Sequence, residues 1–357
     1  MSDARPLDGK RILVTGGTGS LGKVLVRRLL SNEMGTPGKI IVLSRDEAKQ
    51  QEMRMRHKRM RRATEEIIYR SPGDVLEFRI GDVRDFDTVS AVLREVDIVF
   101  NAAALKQVPT CEYFPFEAVR TNVQGAENIV RAIQLHDLPV DTVVGISTDK
   151  ACKPVNVMGM CKALQERVFV QGNMRCEQTR FICVRYGNVL ASRGSVVPLF
   201  RDQIAAGGPV TITSRDMTRF LLSLEDAVDT IFAAVASARR GETYIPRVPS
   251  ARVIDIAAVM IGDRPVDIVI TGVRPGEKLD EILVSEEEVF RTVERSSRFY
   301  AILPVLPELR QTDTDTQTIS GEYSSGDWVM DPDALRALLD SHGLLDPDLD
   351  EEGELLA

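Results

Sequence analysis

Histidine is nearly absent from this sequence. His57, His136 and His342 are its only three, dispersed along 357 residues. No two of them have zinc-ligand spacing, so a metal enzyme is not expected. Cysteine is sparse as well. Cys111, Cys152, Cys161, Cys176 and Cys183 form an odd, scattered set without a C-x-x-C pair. That pattern points to reduced thiols in a cytoplasmic protein rather than to a disulfide framework. No apolar run is long enough to span a bilayer, and MSDARPLDGK lacks the apolar core of a signal peptide. A basic excess is missing too. Lys and Arg number 45 against 53 Asp and Glu, a net charge of −8, which argues against a nucleic-acid binder. No internal repeat is visible.

What is present reads as a globular α/β chain. Hydrophobic residues make up 43% of it, enough to bury a sizeable core. Short β-branched runs alternate with amphipathic stretches. RILVTG, IIVLS, VLEFRIGDV, VDIVFNAAA, DTVVGIST and FICVRYGNV read as six strands. GKVLVRRLLSN and TNVQGAENIVRAIQL read as helices between them. Such alternation predicts βαβ units and a parallel sheet, whose strands are buried on both faces and so read as continuous apolar runs. The expected fold is Rossmann-like and doubly wound. A dinucleotide domain over 1–190 precedes a smaller substrate-binding α/β cap over 191–345, and the helix near 224–238 is expected to return to the first domain. An acidic tail, 346–357, is expected to be disordered. The basic run RMRHKRMRR at 54–62 reads as a solvated helix face, with a self-association or anion patch as the alternative.

The first strand ends in Thr15-Gly16-Gly17-Thr18-Gly19-Ser20-Leu21-Gly22. Gly16 permits the tight turn, Gly19 lets backbone approach a pyrophosphate, and Gly22 lets helix pack on strand. The helix N-terminus adds free N–H groups and partial positive charge. A dinucleotide cofactor follows. The second strand ends in Ser44-Arg45 where NAD binders carry an acid. A guanidinium suits a 2′-phosphate, so NADP is favoured and NAD remains possible. Asp82-Val83 ends the third strand, where the carboxylate can meet the adenine amino group. Ala102-Ala103-Ala104 ends the fourth and leaves room for the cofactor.

The fifth strand ends in Ser147-Thr148-Asp149-Lys150, where ligands of open α/β sheets sit. Beyond it, Met158 and Lys162 are spaced i,i+4 on one helix face. Lys162 can hydrogen-bond the nicotinamide ribose and bring positive charge near the reacting centre.

From about Lys10 to Leu345 the chain resembles the nucleotide-sugar branch of the extended short-chain dehydrogenases. Within that branch it is similar to the UDP-N-acetylglucosamine 4,6-dehydratases of capsule, O-antigen and glycan synthesis. The resemblance rests on NAAALKQVPTCE, TNVQG, STDKACKPVNVMGMCK, RYGNVLASRGSVVPLF, MTRFLLSLEDAV and GVRPGEKLDEIL in order. One departure from the wider superfamily matters. The tyrosine of the usual Y-x-x-x-K motif is Met158, and a thioether cannot exchange a proton. One group of these dehydratases also carries methionine there.

The resemblance implies a reaction on UDP-N-acetylglucosamine with tightly bound NADP. The sugar is oxidised at C4, Lys150 removes the C5 proton as general base, and Asp149 protonates the departing C6 hydroxyl. Hydride returns to C6 of a 4-keto-6-deoxy sugar, with C5 retained or inverted. Lys150 is then expected to be neutral and Asp149 protonated, which requires one pKa lowered and the other raised. Thr148, Asp149 or a water held by Lys162 are the candidates for deprotonating the C4 hydroxyl. Around the nucleotide sugar the resemblance places Lys106, Glu112, Arg185, Asn188, Arg219, Arg274, Glu277 and Lys278, with Arg274 as the foremost diphosphate ligand. It casts Asn122 as a structural tie and the Arg193-Gly194-Ser195 turn as a covering loop. Tyr323-Ser324-Ser325 is cast as a segment that closes over a neighbouring site. The long relatives begin with membrane spans, so a short chain without a span and a homo-oligomer (hexamer or dimer) are expected. The alternatives are a UDP-sugar epimerase and a non-catalytic NADP-binding regulator on the same fold.

Overall fold

The computed structural model describes residues 5–64, 75–190, 195–273, 276–310 and 319–345, without the side chains of 58–64. The acidic tail, Arg274, Arg193-Gly194 and the side chains at the end of the basic run therefore lie outside the described residues.

Six parallel strands form the sheet's main body. They are β1 (Arg11–Thr15), β2 (Lys39–Ser44), β3 (Leu76–Ile80), β4 (Ile98–Asn101), β5 (Thr142–Ile146) and β6 (Arg180–Val184), in the order β3-β2-β1-β4-β5-β6. Their apolar runs are buried on both faces, as a parallel sheet requires. Ile12, Val14, Ile40, Val42, Phe100 and Val144 face one core with Val24, Leu25, Ile231 and Val235. Leu13, Ile41, Val99, Val143 and Phe181 face the other with Val89, Ile129, Ile133 and Phe169. Alternation along each strand sends neighbours to opposite layers. Strand order reverses between β1 and β4, which opens a crevice at their carboxyl ends.

Helix α1 (Ser20–Leu30) follows β1 directly. Helix Leu224–Ser237 packs beside it and starts at a capping box in which Ser223 and Asp226 exchange hydrogen bonds. Arg28 of α1 reaches Asp229 and the Glu225 carbonyl, each at 2.8 Å.

The chain beyond 190 does more than build a cap. Strand Thr243–Pro246 pairs parallel with β6, Phe299–Ile302 pairs antiparallel with it, and Thr292–Ser296 closes the edge. The sheet thus has nine strands among the described residues, and the boundary at 190 divides chain order rather than the sheet. These three strands are short and irregularly spaced, so periodicity marks them weakly. A separate smaller core holds Val197, Phe200, Val210, Ile212, Ile256, Met260, Leu335 and Leu339.

Candidate active site

A cleft of about 850 Å³ runs along the carboxyl ends of β1 to β6, within the size range of ligand sites. One end is the glycine loop. Gly16 adopts φ +66°, and a Cβ there would lie 2.8 Å from the Ala103 backbone. A Cβ on Gly22 would lie 2.5 Å from Gly17 Cα. Gly19 caps α1 without a side-chain hydrogen bond, leaving first-turn N–H groups open to a phosphate. Thr18 and Ser44 share a hydroxyl hydrogen bond of 2.8 Å. Thr15 stays off the wall. Its hydroxyl donates to Asn101 at 2.8 Å and accepts from the Ala103 N–H at 3.2 Å, tying the ends of β1 and β4.

Ser20, Leu21, Arg45, Asp82, Val83 and Ala102 to Ala104 line the same end. The half-exposed Arg45 guanidinium stands 3.6 Å from Asp82. Burial works against the Asp82 charge, but Arg84 outweighs it and holds the carboxyl below its ordinary range. Uncapped amides, small residues and a half-exposed guanidinium are a donor set that fits a dinucleotide.

The other end is built where β5 and β6 run out. The Ser147 N–H donates to Val184 O at 2.7 Å and the Asp149 N–H to Tyr186 O at 3.0 Å. The chain then turns through a short 3₁₀ segment, Asp149–Ala151. Thr148 and Lys150 line the cleft, whereas the fully buried Asp149 sits behind it. Asp149 Oδ1 accepts from Thr148 Oγ1 at 2.8 Å and from Lys150 Nζ at 3.0 Å. Lys150 Nζ also lies 3.2 Å from Glu281 Oε1. Burial alone would push Lys150 down, but the carboxylates of Asp149 and Glu281 prevail and hold it above the ordinary lysine range. This corrects the expectation of a lowered Lys150, because in the ligand-free protein the group is an ammonium.

Met158 is buried on the wall beside Cys111 and Cys161. Lys162 donates to Ile146 O at 2.8 Å and Gln165 Oε1 at 3.0 Å, and burial lowers it to about 8. Tyr186 also lines the cleft, but burial raises its phenol, so it is no ready base in place of the missing tyrosine.

The expected substrate residues separate. Lys106, Asn188, Arg219 and Glu277 reach the wall. Asn188 Oδ1, Ser195 Oγ and Glu277 Oε2 are buried there without a partner among the described residues. Arg185 does not reach the cleft. It is buried against Glu166, at 2.7 and 3.0 Å, and Glu288, at 2.8 and 3.0 Å. Lys278 Nζ donates to Cys152 O at 2.6 Å. Glu112 accepts from the Val157 N–H at 2.7 Å and so caps the helix that carries Met158. Asn122 pins Leu105 through both its N–H and its carbonyl. Tyr323 and Ser325 pack within their own chain, with hydrogen bonds to Val248 and Thr218.

Two positions escaped the sequence reading. Glu281 sits in the KLDEIL run, where adjacent acids look alike. Gly159 must be glycine because a Cβ would collide with the Lys150 carbonyl. Among the described residues, no helix is long and apolar enough to cross a membrane. No group of His, Cys, Asp and Glu among them could hold a metal ion.

The polysaccharide biosynthesis protein family matches residues 12–303. A UDP-N-acetylglucosamine 4,6-dehydratase (inverting) of Campylobacter jejuni is 42% identical, over 83% of this chain and 84% of its own length. A UDP-glucose 4-epimerase of Rickettsia bellii is also 42% identical, over 82% of each chain. The X-ray structure of Pen from Bacillus thuringiensis superposes with a TM-score of 0.83 at 31% identity, covering 95% of this chain and 99% of that one. With the sheet order, the glycine loop and these matches in agreement, the chain belongs to the polysaccharide biosynthesis protein family.

Proposed function

We propose that the protein is a nucleotide-sugar 4,6-dehydratase that converts UDP-N-acetylglucosamine to a UDP-4-keto-6-deoxy-hexosamine. The observation that carries this reading is the Lys150 amine on the cleft wall, flanked by Asp149 and Glu281, beside a methionine where a tyrosine would serve an ordinary dehydrogenase. Gly16, Gly19 and the first turn of α1 would hold the pyrophosphate of a nicotinamide dinucleotide. Arg45 favours NADP, and Lys162 faces the ribose end. When bound, the cofactor supplies reversible hydride acceptance. The chain supplies the proton chemistry.

Asp149 receives the C4 hydroxyl proton through Thr148, whose hydroxyl joins the cleft to the buried carboxylate. Lys150, as a free amine, takes the C5 proton, which the new ketone has made acidic. Asp149 returns its proton, again through the Thr148 hydroxyl, to the C6 oxygen, which leaves as water. Lys150 then gives a proton back to C5. The C4 hydroxyl proton thus departs in the water, and the enzyme ends as it began. Arg219 and Arg274 are the proposed diphosphate ligands. Asn188 and Glu277 offer open acceptors to sugar or uracil donors.

The test is incubation of the purified protein with UDP-N-acetylglucosamine in D2O without added cofactor. Mass spectrometry should show loss of one water and solvent deuterium at C5, and NMR then gives the C5 configuration. The 42% identity to a UDP-glucose 4-epimerase favours 4-epimerisation as the second reading; a C4 epimer of unchanged mass would establish it. Unchanged sugar over bound cofactor would sink the proposed substrate.

Gly159→Ala should cut turnover about 100-fold, the scale expected when a reacting group moves by about 1 Å. Its Cβ must push the helix off the turn that carries Lys150. Cofactor should still bind through the untouched glycine loop, although the shifted helix also carries Lys162. Steady-state kinetics beside cofactor quantitation checks both.

A further inference from the structure

Lys150 must be a neutral amine to take a proton from C5, yet the resting cluster holds it as an ammonium. Its proton needs a destination. Asp149 is poorly suited, because Thr148 and Lys150 both donate to its Oδ1. In the dehydratase reading, on which this inference rests, Asp149 must also stay free to accept the C4 hydroxyl proton.

Glu281 differs. Its side chain is 3% exposed and its Oε1 lies 3.2 Å from Lys150 Nζ. Its Oε2, like Asp149 Oδ2, is buried with no hydrogen-bond partner among the described residues, but no hydroxyl among them occupies its Oε1 as Thr148 occupies Asp149 Oδ1. A stranded anionic oxygen costs desolvation free energy that protonation removes. The backbone around it is fixed, since the Glu281 N–H donates to Ser325 Oγ at 2.9 Å and the Ser325 N–H to Glu281 O at 2.8 Å. Burial lifts the Glu281 carboxyl above its ordinary range; Lys150, Arg219 and Lys278 pull it down, Asp149 pushes it up, and the net shift is upward.

We propose that Glu281 is the proton partner of Lys150, the carboxylate that receives the ammonium proton and leaves a neutral amine facing C5. One N–H bond breaks, one O–H bond forms at Glu281, and the electron pair stays on Nζ. Nothing is oxidised or reduced. Lys150 then takes the C5 proton and returns one of its three equivalent N–H protons, two of them solvent-derived, while Glu281 keeps the first one. That proton goes back to Lys150 when product leaves.

An internal transfer exchanges no proton with solvent. The kcat/KM of the wild type should therefore be flat through neutral pH, although Lys150 itself is held above the ordinary lysine range. In Glu281→Gln the ammonium must lose its proton to water instead. Dehydration should fall roughly 10²- to 10³-fold at pH 7 and climb about tenfold per pH unit, with KM and bound cofactor near wild type. Glu281→Asp keeps a carboxylate and should keep the flat profile. A Glu281→Gln profile that stays flat, at any rate, would overturn the proposal, because a merely structural role lowers the whole curve without tilting it.

If the wild type dehydrates no nucleotide sugar, the functional reading fails and the pair is measured without turnover. Nitrogen-15 NMR of the Lys150 ammonium, assigned against Lys150→Ala, gives its midpoint in the intact protein. Glu281→Gln should lower that midpoint by at least about one pH unit. An unmoved midpoint overturns the partnership.

Discussion

Lys150→Ala should lower dehydration roughly 10³- to 10⁴-fold, the scale of a lost general base, and should leave the cofactor bound. The two halves of this result come from separate parts of the cleft. The glycine loop and Arg45 lie at one end, and Lys150 projects from the turn after β5 at the other. Without Lys150, the turn after β5 presents no amine for the C5 proton. Asp149 is behind the wall, Tyr186 is raised by burial, and Lys162 is held by Ile146 and Gln165. Deuterium incorporation at C5 should vanish along with turnover. Cofactor released by denaturing the variant should match the wild type in amount. The result also separates an enzyme from a cofactor-binding regulator on the same fold, since a regulator keeps its role without this amine. Turnover within about tenfold of wild type would remove Lys150 from the mechanism.

The parts that sequence made legible are those whose signals are local. The runs RILVT and KIIVLS are strands because their residues are buried on both sides, and contiguous apolar runs of that length announce it. The glycine loop is legible because the turn, the close approach and the helix packing each exclude a side chain at a fixed spacing. What stayed hidden depends on contacts across the chain. Lys150 and Glu281 are 131 positions apart, and only the fold shows that their charges meet. That meeting reverses the expected direction of the Lys150 shift. Arg185 shows the same limit from the other side. An arginine in a motif used around the nucleotide sugar reads as a substrate residue until Glu166 and Glu288 are found around it. The three strands added after residue 190 are short, and their order in the sheet is not their order in the chain.

Arg185→Met should destabilise the fold by about 3–5 kcal/mol at neutral pH, the usual consequence of breaking a buried ion pair from one side. The Arg185 side chain is 3% exposed, and Glu166 and Glu288 each bind it through both carboxylate oxygens. Methionine fills much of the volume but leaves Glu166 with only the Ser147 hydroxyl and Glu288 with the more distant Arg291 and the Ser285 N–H. The acid dependence should change sign as well. Burial pushes Glu288 up, but the Arg185 charge and hydrogen bonds prevail, and the carboxyl is held down to about 2. A depressed carboxyl stabilises the fold fully above its ordinary value of 4.5, and that contribution is lost as pH falls through about 2. Between pH 7 and pH 5 it therefore adds no slope in the wild type. In the variant the main attractor is gone, and burial, the largest single influence on Glu288, is expected to prevail over Arg291 and the Ser285 N–H and lift the carboxyl above its unfolded value. The folded state then binds the extra proton, and stability rises as pH falls through the same interval. Urea unfolding at pH 7 and pH 5 measures both effects. Glu288→Gln on the Arg185→Met background removes one stranded charge and should recover part of the loss. A deficit below about 1 kcal/mol, or a variant with the wild-type pH slope, would mean that water reaches these carboxylates and that the cluster is not the dry ion network its geometry describes.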